Sequence, residues 1–438
     1  MNQKKQIKLG LLGAGTVGGG VLKALIKDKI ALSRKSGRDY EITAVCVKDL
    51  KKVRNIDFGE INLTENPEDI VQDVDIDIVV ELIGGIEPAK TLVEKALNNK
   101  KHVVTANKAL IASYGLELLD LARKKNKLLL FEGAVAGAIP IIKLMGESFL
   151  ANSIYRIEGI INGTTNFMLS GMEARGLSLE CAVSEAQKKG FAEADPTADI
   201  SGLDAANKIC ILAYLAFGTM IHPDKIYCKG IDGLELQDIT FSKQLGYKIK
   251  HLAIASSYDN KLNLRVHPAL LAEDHPLAKI ENEMNAVLTY GEFFEKILCS
   301  GPGAGSFPTA SAVIADLIEI FRLLTMTSNS EDFQIGLKNP VFHDQSVEFD
   351  FDMPASQYYL RITAEDQTGI LALITKTLAS EGISVEAIIQ RAEKDVSQHV
   401  PIAIVTSKSS QAEIERVCQK LSNKSGILGK VVRYRVEN

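Results

Sequence analysis

The fold of the N-terminal part of the chain is decided by the segment Ile7-Lys8-Leu9-Gly10-Leu11-Leu12-Gly13-Ala14-Gly15-Thr16-Val17-Gly18. Its first half is mostly apolar, its second half carries three glycines in the pattern GxGxxG, and the apolar residues of Val21 to Ile26 follow with helical spacing. This order predicts a strand, a tight turn and a helix. A GxGxxG pattern is informative only in that context.

The three glycines suit the binding of a dinucleotide pyrophosphate. Gly13 allows the tight turn, Gly15 lets the backbone approach the phosphates, and Gly18 lets helix and strand pack closely. The anion would lie at the helix N-terminus, where backbone N–H groups have no partner within the helix. We therefore predict a nicotinamide dinucleotide site; a purely structural turn is the alternative.

The residues after the second predicted strand, Ile42 to Val47, bear on the choice of cofactor. A carboxylate at that position bonds the ribose hydroxyl of NAD, whereas a basic residue accommodates the 2′-phosphate of NADP. Lys48 favours NADP, but the adjacent Asp49 leaves NAD possible.

Predicted strands and helices alternate through residues 1–139, which indicates an α/β, Rossmann-type parallel sheet covered on both faces. A glycine-rich segment and an apolar helix, about 301–327, would complete this domain. Residues 140–300 mix helical and strand patterns and predict an α+β domain. A polar linker at 328–356 precedes residues 357–438, whose order βαββαβ predicts a ferredoxin-like module.

Composition excludes several classes of protein. The chain has 438 residues, 50 Lys and Arg against 55 Asp and Glu, and 46% hydrophobic residues, so it is neither disordered nor a strongly basic nucleic-acid binder. Its six cysteines lie far apart with no CxxC pair. No apolar stretch approaches the roughly 20 residues that span a bilayer. We expect a cytoplasmic protein with no nucleic-acid and no membrane partner.

Two lysines occupy positions suited to chemistry. Lys108 directly follows a predicted parallel strand, at the sheet edge where ligands bind in open α/β folds, although a surface lysine there is equally common. Lys208 and Asp204 lie four residues apart on an apolar helix and can pair on one face. A buried, paired lysine is a plausible proton donor. Glu193 and Asp199, just before that helix, could hold a cationic group such as an α-ammonium.

Blocks distributed in order over three-quarters of the chain resemble homoserine dehydrogenase. The blocks include Gly10 to Gly18, Glu81-Leu82-Ile83-Gly84-Gly85, Val104-Thr105-Ala106-Asn107-Lys108, Phe131 to Ile142, Asn162 to Asn166, Ala192 to Thr197, Arg265-Val266-His267-Pro268 and Gly301-Pro302-Gly303-Ala304-Gly305. The last 80 or so residues, with Asp366-Gln367-Thr368-Gly369-Ile370-Leu371, resemble an ACT domain.

The resemblance implies reversible, NAD(P)-dependent interconversion of L-aspartate 4-semialdehyde and L-homoserine, on the route to threonine and methionine. It makes Lys208 the proton donor and Lys108 a second lysine at the reacting centre, and it makes 140–300 a catalytic and dimerisation domain. The substrate contacts implied are Glu193, Asp199, Asp204 and Thr164. The cofactor contacts implied are Gly13, Gly15, Thr16, Val17, Gly18, Lys48, Gly84, Thr105, Lys108 and Gly305.

The resemblance also implies a monovalent cation, Na⁺ or K⁺, held by Glu132 and by the carbonyls of Val135, Gly137 and Ile139. It further implies an amino-acid effector at the ACT domain, with threonine the first to test, and a homo-oligomer, either a dimer or a tetramer. Deleting residues from Tyr358 onward is then expected to remove inhibition and spare catalysis.

Two alternatives stay open at this point. The chain could be an NADP-binding regulatory protein that has kept the fold and lost turnover, although the presence of both Lys108 and Lys208 argues against this. It could also be a semialdehyde dehydrogenase, but that chemistry needs a nucleophilic cysteine, and no cysteine here has a histidine nearby in sequence.

Overall fold

The computed structural model describes residues 6–259, 261–326, 348–350, 354–390 and 399–437. The chain divides into two compact units. Unit 1 contains residues 1–157, 207–225 and 285–346, and unit 2 contains residues 158–206, 226–284 and 347–438. Most of the predicted linker, 328–356, lies outside the described residues.

Helices and strands occupy most of both units. In chain order the helices are α1 (Thr16–Lys27), α2 (Lys29–Ser36), α3 (Glu68–Val71), α4 (Ala89–Asn98), α5 (Lys108–Lys124), α6 (Ile141–Lys143), α7 (Gly163–Arg175), α8 (Leu179–Lys188), α9 (Thr197–Ile200), α10 (Leu203–Phe217), α11 (Leu236–Gln244), α12 (Ser306–Met326), α13 (Ile370–Ser380) and α14 (Gln411–Ser422). The strands are β1 (Ile7–Leu12), β2 (Tyr40–Cys46), β3 (Asn62–Thr64), β4 (Ile78–Glu81), β5 (His102–Thr105), β6 (Leu129–Leu130), β7 (Ile154–Ile160), β8 (Tyr227–Cys228), β9 (Tyr247–Tyr258), β10 (Lys261–Ala272), β11 (Met284–Gly291), β12 (Glu295–Pro302), β13 (Glu348–Phe349), β14 (Tyr358–Glu365), β15 (Val385–Gln390), β16 (His399–Thr406) and β17 (Ile427–Glu437).

Unit 1 contains a parallel sheet with the strand order β3-β2-β1-β4-β5-β6. This is the order of a dinucleotide-binding doubly wound sheet, in which the strand order reverses between β1 and β4. The central strands are buried on both faces, which explains their nearly continuous Val, Ile and Leu. The predicted Rossmann-type sheet is confirmed.

Helix α12 packs against α1 in unit 1. Apolar residues of α12, among them Val313, Leu317 and Phe321, share one core with Val21 and Leu22 of α1. The approach is close: a Cβ on Gly20 would lie 2.6 Å from the Ser306 carbonyl oxygen. Only glycine therefore fits at position 20.

Unit 2 contains the C-terminal module with the order β14-α13-β15-β16-α14-β17, which confirms the predicted βαββαβ arrangement. Its strand β17 also pairs in parallel with β10, through Ala269 and Arg435 among other residues. The sheet of unit 2 thus continues without a break through β9, β10, β17, β14, β16 and β15.

Buried ion pairs reinforce this continuous sheet. Arg265 on β10 is fully buried and makes two hydrogen bonds to Glu437 on β17, at 3.1 and 3.0 Å. Arg361 on β14 donates to Asp238 on α11 at 2.7 Å. The module is therefore built into unit 2, and deleting it would remove the charged partners of Arg265 and Asp238. From this pairing we expect that such a deletion does not spare catalysis.

One helix prediction was partly wrong. The apolar spacing of Ile141 to Leu150 predicts a regular helix, but α6 ends at Lys143 and the chain continues as a wider π turn over Leu144–Ser148. No helix in the described part of the chain is both long enough and apolar enough to cross a bilayer.

Candidate active site

The glycine loop between β1 and α1 has the geometry that a phosphate site needs. Gly13 has φ +105°, and a Cβ there would lie 2.6 Å from the Leu82 carbonyl oxygen. A Cβ on Gly18 would lie 2.1 Å from the Gly13 carbonyl oxygen. Gly15 precedes α1 as its N-cap, and both Gly15 and Thr16 are exposed. The first N–H groups of α1, including that of Val17, therefore face a surface that a ligand can reach.

The start of α12 lies beside this loop. The Ser306 hydroxyl donates to the Thr16 carbonyl oxygen at 2.8 Å. Gly305, immediately before α12, has φ +122°, a backbone conformation that favours glycine. Gly305 is thus placed next to the glycine loop within unit 1, near the N-termini of two helices.

A buried carboxylate organises the loop after β4. Glu81 is fully buried and accepts from the backbone N–H of Ile83 at 2.8 Å and of Gly84 at 3.2 Å. Its other oxygen accepts from the Thr105 hydroxyl at 2.6 Å. Gly84 and Thr105 therefore meet at the carboxyl ends of β4 and β5, where ligands bind in this class of sheet. The Thr105 side chain is directed into the protein, towards Glu81.

Lys48 lies two residues beyond the carboxyl end of β2, and its side chain is exposed. The first glycine of the loop is close to the same strand end, because the Gly13 N–H donates to the Cys46 carbonyl oxygen at 2.9 Å. The neighbouring Asp49 is exposed as well.

The two candidate lysines both belong to unit 1. Lys108 is the first residue of α5, which Asn107 caps by accepting from the Leu110 N–H at 3.2 Å. Lys208 lies on α10 and exposes only 7% of its surface. Its helical neighbours Ile209, Cys210, Ile211 and Leu212 are completely buried. Asp204, one turn earlier on the same helix, is also buried.

The candidate carboxylates belong to unit 2, where Asn162 holds two of them together. Its side-chain N–H₂ group donates to Asp199 at 2.6 Å and to Asp204 at 2.8 Å. The Asn162 side-chain oxygen accepts from the Thr165 N–H at 2.7 Å, which caps α7. Two carboxylates held this close together favour a cation nearby.

The other two predicted substrate residues lie on the rim of this region. Thr164 donates its hydroxyl hydrogen to the Phe191 carbonyl oxygen at 2.8 Å. The Glu193 side chain is exposed, and its carbonyl oxygen accepts from Gln187 at 3.2 Å. The segment 191–193 is therefore tied to both α7 and α8.

The loop predicted to hold a cation wraps around Glu132 in unit 1. Glu132 is 2% exposed and accepts from the N–H groups of Ile142 and Lys143 at 3.0 and 2.9 Å. Burial raises the pKa of Glu132 to about 7. Ala136 and Gly137 both have positive φ, so the loop turns sharply between Val135 and Ile139. The Ala138 N–H donates to the Pro302 carbonyl oxygen at 3.1 Å, which fixes the turn.

Two residues that organise these sites, Glu81 and Ser306, were given no role from the sequence, whereas Asn162 belongs to the block Asn162 to Asn166 described above. Glu81 and Ser306 have no local signature, because each acts on a segment distant along the chain. Asn162 had a detectable signal, since an asparagine between a predicted strand and a helix is typical of an N-cap. Its second contact, to the two aspartates, depends on tertiary structure alone.

Comparisons with known proteins agree with this arrangement. Family models match residues 13–132 (homoserine dehydrogenase, NAD binding domain), residues 140–318 (homoserine dehydrogenase) and residues 358–426 (ACT domain). The homoserine dehydrogenase of Pseudomonas aeruginosa is 40% identical, with 99% of each chain covered. The crystal structure of a homoserine dehydrogenase from Thiobacillus denitrificans is 42% identical, with a TM-score of 0.91 and 99% of each chain covered.

A more distant homoserine dehydrogenase has been solved with a cofactor bound. It is a hyperthermophilic archaeal homoserine dehydrogenase in complex with NADPH, 27% identical with a TM-score of 0.62, covering 72% of this chain and 97% of the other. Sequence identity of 40% covers 99% of the chain. The glycine loop, the carboxylate region and the C-terminal module therefore all belong to one protein family. The chain belongs to the homoserine dehydrogenase family of NAD(P)-dependent oxidoreductases and carries a C-terminal ACT domain.

Proposed function

We propose that Lys208 is the proton donor in the family's reaction, the reversible interconversion of L-aspartate 4-semialdehyde and L-homoserine. The observation that carries this proposal is its placement, since Lys208 is 93% buried on an apolar helix, one turn after the buried Asp204. Burying an ammonium group in such surroundings is costly unless it is paired or functional.

The chemistry assigned to each lysine follows from the charge that develops during reduction. Bound NAD(P)H supplies a hydride to the aldehyde carbon. The Lys208 ammonium donates a proton to the aldehyde oxygen, which becomes the hydroxyl of homoserine, and it accepts that proton in the reverse direction. Lys108 contributes a second positive charge that stabilises the oxygen as its negative charge grows.

The carboxylates of unit 2 are assigned to the substrate's ammonium group. Glu193 would bind it, and Asp199 and Asp204 would fix the orientation of the site through Asn162. Thr164 would contribute from the rim, where it anchors the segment that carries Glu193. The support is the pair of hydrogen bonds that bring Asp199 and Asp204 to one amide group.

We propose NADP as the preferred cofactor, with Lys48 at its 2′-phosphate and Gly13, Gly15, Thr16, Val17, Gly18, Gly84, Thr105, Lys108 and Gly305 around the rest. The exposed lysine at the end of β2 supports this choice, as does the likeness to an archaeal enzyme solved with NADPH. Replacing Lys48 by alanine should raise KM for NADP about tenfold, since one charge-assisted hydrogen bond is lost, and leave KM for NAD unchanged. Lys52→Ala, an exposed lysine four residues later, is the matched control.

Spectrophotometric oxidation of homoserine with NADP and NAD in parallel, with and without threonine, tests the activity itself. We expect reduction of NADP to be faster. Absence of turnover with both cofactors would favour the alternative of an inactive regulatory protein. A lower KM for NAD than for NADP would overturn the assignment of Lys48.

The loop at Glu132 fits a monovalent cation. A buried carboxylate whose ionisation is disfavoured, followed by a sharply turned loop of carbonyl groups, offers the oxygen ligands that hard cations prefer. We propose that Glu132 and the carbonyl oxygens of Val135, Gly137 and Ile139 hold Na⁺ or K⁺. The cation would neutralise the Glu132 carboxylate and fix the loop.

Stability should therefore depend on both pH and the cation. Because the pKa of Glu132 is about 7 in the folded protein and near 4.5 in the unfolded chain, the folded state loses stability as pH rises through 7. Glu132→Gln should remove this loss, which is up to about 3 kcal/mol. Melting temperatures at pH 8 in NaCl or KCl, against tetramethylammonium chloride, should rise for the wild type and not for the variant. An equal rise in both would exclude Glu132 as a ligand.

The ACT domain is proposed to bind an amino-acid effector, threonine first, between modules of two chains in a homodimer or tetramer. Strand β15 supports this proposal, because it ends the strand order of the sheet and its Ile388 is 39% exposed. Light scattering with and without threonine would determine the oligomeric state. We also propose a cytoplasmic location, consistent with six cysteines that form no disulfide.

A further inference from the structure

A cavity in unit 2 lies where the C-terminal module meets β8 and β10. It is a depression open to solvent, and its space is about 300 Å³ only when the open mouth is counted. The lining comes from both sides of the β10–β17 pairing and consists of Tyr227, Lys229, His267, Pro268, Tyr358, Gln411, Arg433, Tyr434 and Arg435. Three of these residues are cationic and none is acidic.

The arginines of the lining pair with carboxylates that lie outside the lining. Arg433 pairs with Glu415 at 2.6 Å. The Glu437 carboxylate contacts two arginines, Arg265 at 3.0 Å and Arg435 at 3.4 Å. Asp232 and Asp238 also act on Lys229 electrostatically. The lining itself carries the cationic groups, and these four carboxylates lie outside it.

Lys229 is the cation with the weakest compensation. Its ammonium group donates to the Arg433 carbonyl oxygen at 2.9 Å and lies 4.5 Å from the centre of the Tyr434 ring. Among the described residues no carboxylate comes within ion-pair distance of it. Burial and the nearby Arg433 lower the pKa of Lys229. Two of its three N–H donors are left for a ligand.

We propose that this cavity binds a small oxyanion of the phosphate type. Lysine and arginine donors together are the common recognition set for phosphate, and the Tyr227 hydroxyl of the lining adds a neutral donor. The lining does not suit a free amino acid, because no acidic side chain is present to take the α-ammonium group. The site is therefore distinct from the amino-acid effector site proposed for the ACT domain.

The position of Lys229 connects the cavity to the carboxylates of unit 2. The Ile231 N–H, two residues after Lys229, donates to the Ile200 carbonyl oxygen at 2.9 Å. Gly230 lies so close to Ile200 that a Cβ would be 2.2 Å from the same oxygen. Ile200 directly follows Asp199, which Asn162 holds beside Asp204. An anion that draws the Lys229 side chain into the cavity would act on the segment that carries Asp199 and Ile200. This effect on the substrate region rests on the role proposed for Asp199.

The test measures binding in the full chain with NADP at saturation, so that the glycine loop is already occupied. Inorganic phosphate is titrated at constant ionic strength, and the melting temperature is recorded. We expect a saturable rise that acetate and threonine do not reproduce. Lys229→Gln should weaken phosphate binding about tenfold or more, whereas Lys243→Gln, an exposed lysine of unit 2, should leave it unchanged.

A second pair of variants keeps the test informative if Lys229→Gln fails to fold. Arg433→Gln and Glu415→Gln remove the same ion pair, so a purely structural effect would change phosphate binding in the same direction. The proposal requires opposite directions: Arg433→Gln weakens binding, and Glu415→Gln, which frees the guanidinium, strengthens it severalfold. Equal phosphate affinity in all variants, or a rise that never saturates, would overturn the proposal.

Discussion

Replacing Lys208 by alanine is expected to lower turnover by about 10²-fold or more, because the reacting oxygen loses its general acid. Cofactor binding should stay intact, since the glycine loop and Lys48 do not involve α10. The measurement is kcat and KM for homoserine, together with NADP binding by fluorescence. The loss should appear in kcat.

Lys101 provides a matched control for the loss of a buried lysine. It is 2% exposed in unit 1 and donates to two backbone carbonyl oxygens, those of Asp73 and Ile76. Lys101→Ala should lower the melting temperature and leave kcat nearly unchanged. If Lys208→Ala behaves in the same way, with normal turnover in a less stable protein, then Lys208 is structural.

Replacing Glu437 by glutamine is expected to cost about 3–5 kcal/mol in the free energy of unfolding, because it removes a buried carboxylate that pairs with a fully buried guanidinium. Arg265 has no exposed surface and donates to both oxygens of this carboxylate, of which a glutamine side chain retains only one as an acceptor. Urea-induced unfolding of the two proteins measures the difference. Glu381→Gln, whose partners Arg416 and Lys420 are exposed, is the control and should change stability little.

The stability difference between the wild type and Glu437→Gln should also depend on pH, and it should shrink as pH falls. Burial opposes ionisation of Glu437, but Arg265 and His267 hold its pKa well below the usual range. A lowered pKa in the folded state contributes stability above the unfolded value of 4.5, and that contribution is lost as pH falls. The wild type and Glu437→Gln should therefore converge in acid. A difference that is the same at all pH values would show that the variant acts by packing.

The same geometry predicts the fate of a truncated chain. Removing residues 357–438 takes away β17, the neighbour of β10, and exposes apolar residues of the shared core such as Leu270 and Ile249. We expect the truncated protein to be insoluble or inactive. A soluble, active and threonine-insensitive fragment would show that the module is removable after all.

Local sequence patterns determined most of the fold. The strand–glycine–helix order at Gly13 to Gly18 and the βαββαβ order after Tyr358 depend on short-range periodicity, and both are present in the structure. The pairing of β17 with β10 could not be predicted, because it joins residues more than 160 positions apart. The π turn after Lys143 was also missed, since nothing in its sequence distinguishes it from a helix.

The candidate site was predictable to the extent that its residues occupy strand ends and helix starts. Lys48 and Gly84 follow strands, Thr105 ends one, and Lys108 begins a helix, so their places follow from the order of elements. The roles of Glu81 and Asn162 come from hydrogen bonds between distant segments. Such contacts have no signature along the chain.

A crystal structure of the enzyme with NADP and homoserine would locate the reacting oxygen relative to the two lysines. We expect the Lys208 ammonium nitrogen about 3 Å from the homoserine hydroxyl oxygen, within hydrogen-bond reach of the proton it transfers, with Lys108 beside the same oxygen. A bound homoserine whose hydroxyl group is held by other residues, with both lysines turned away from it, would rule out Lys208 as the proton donor.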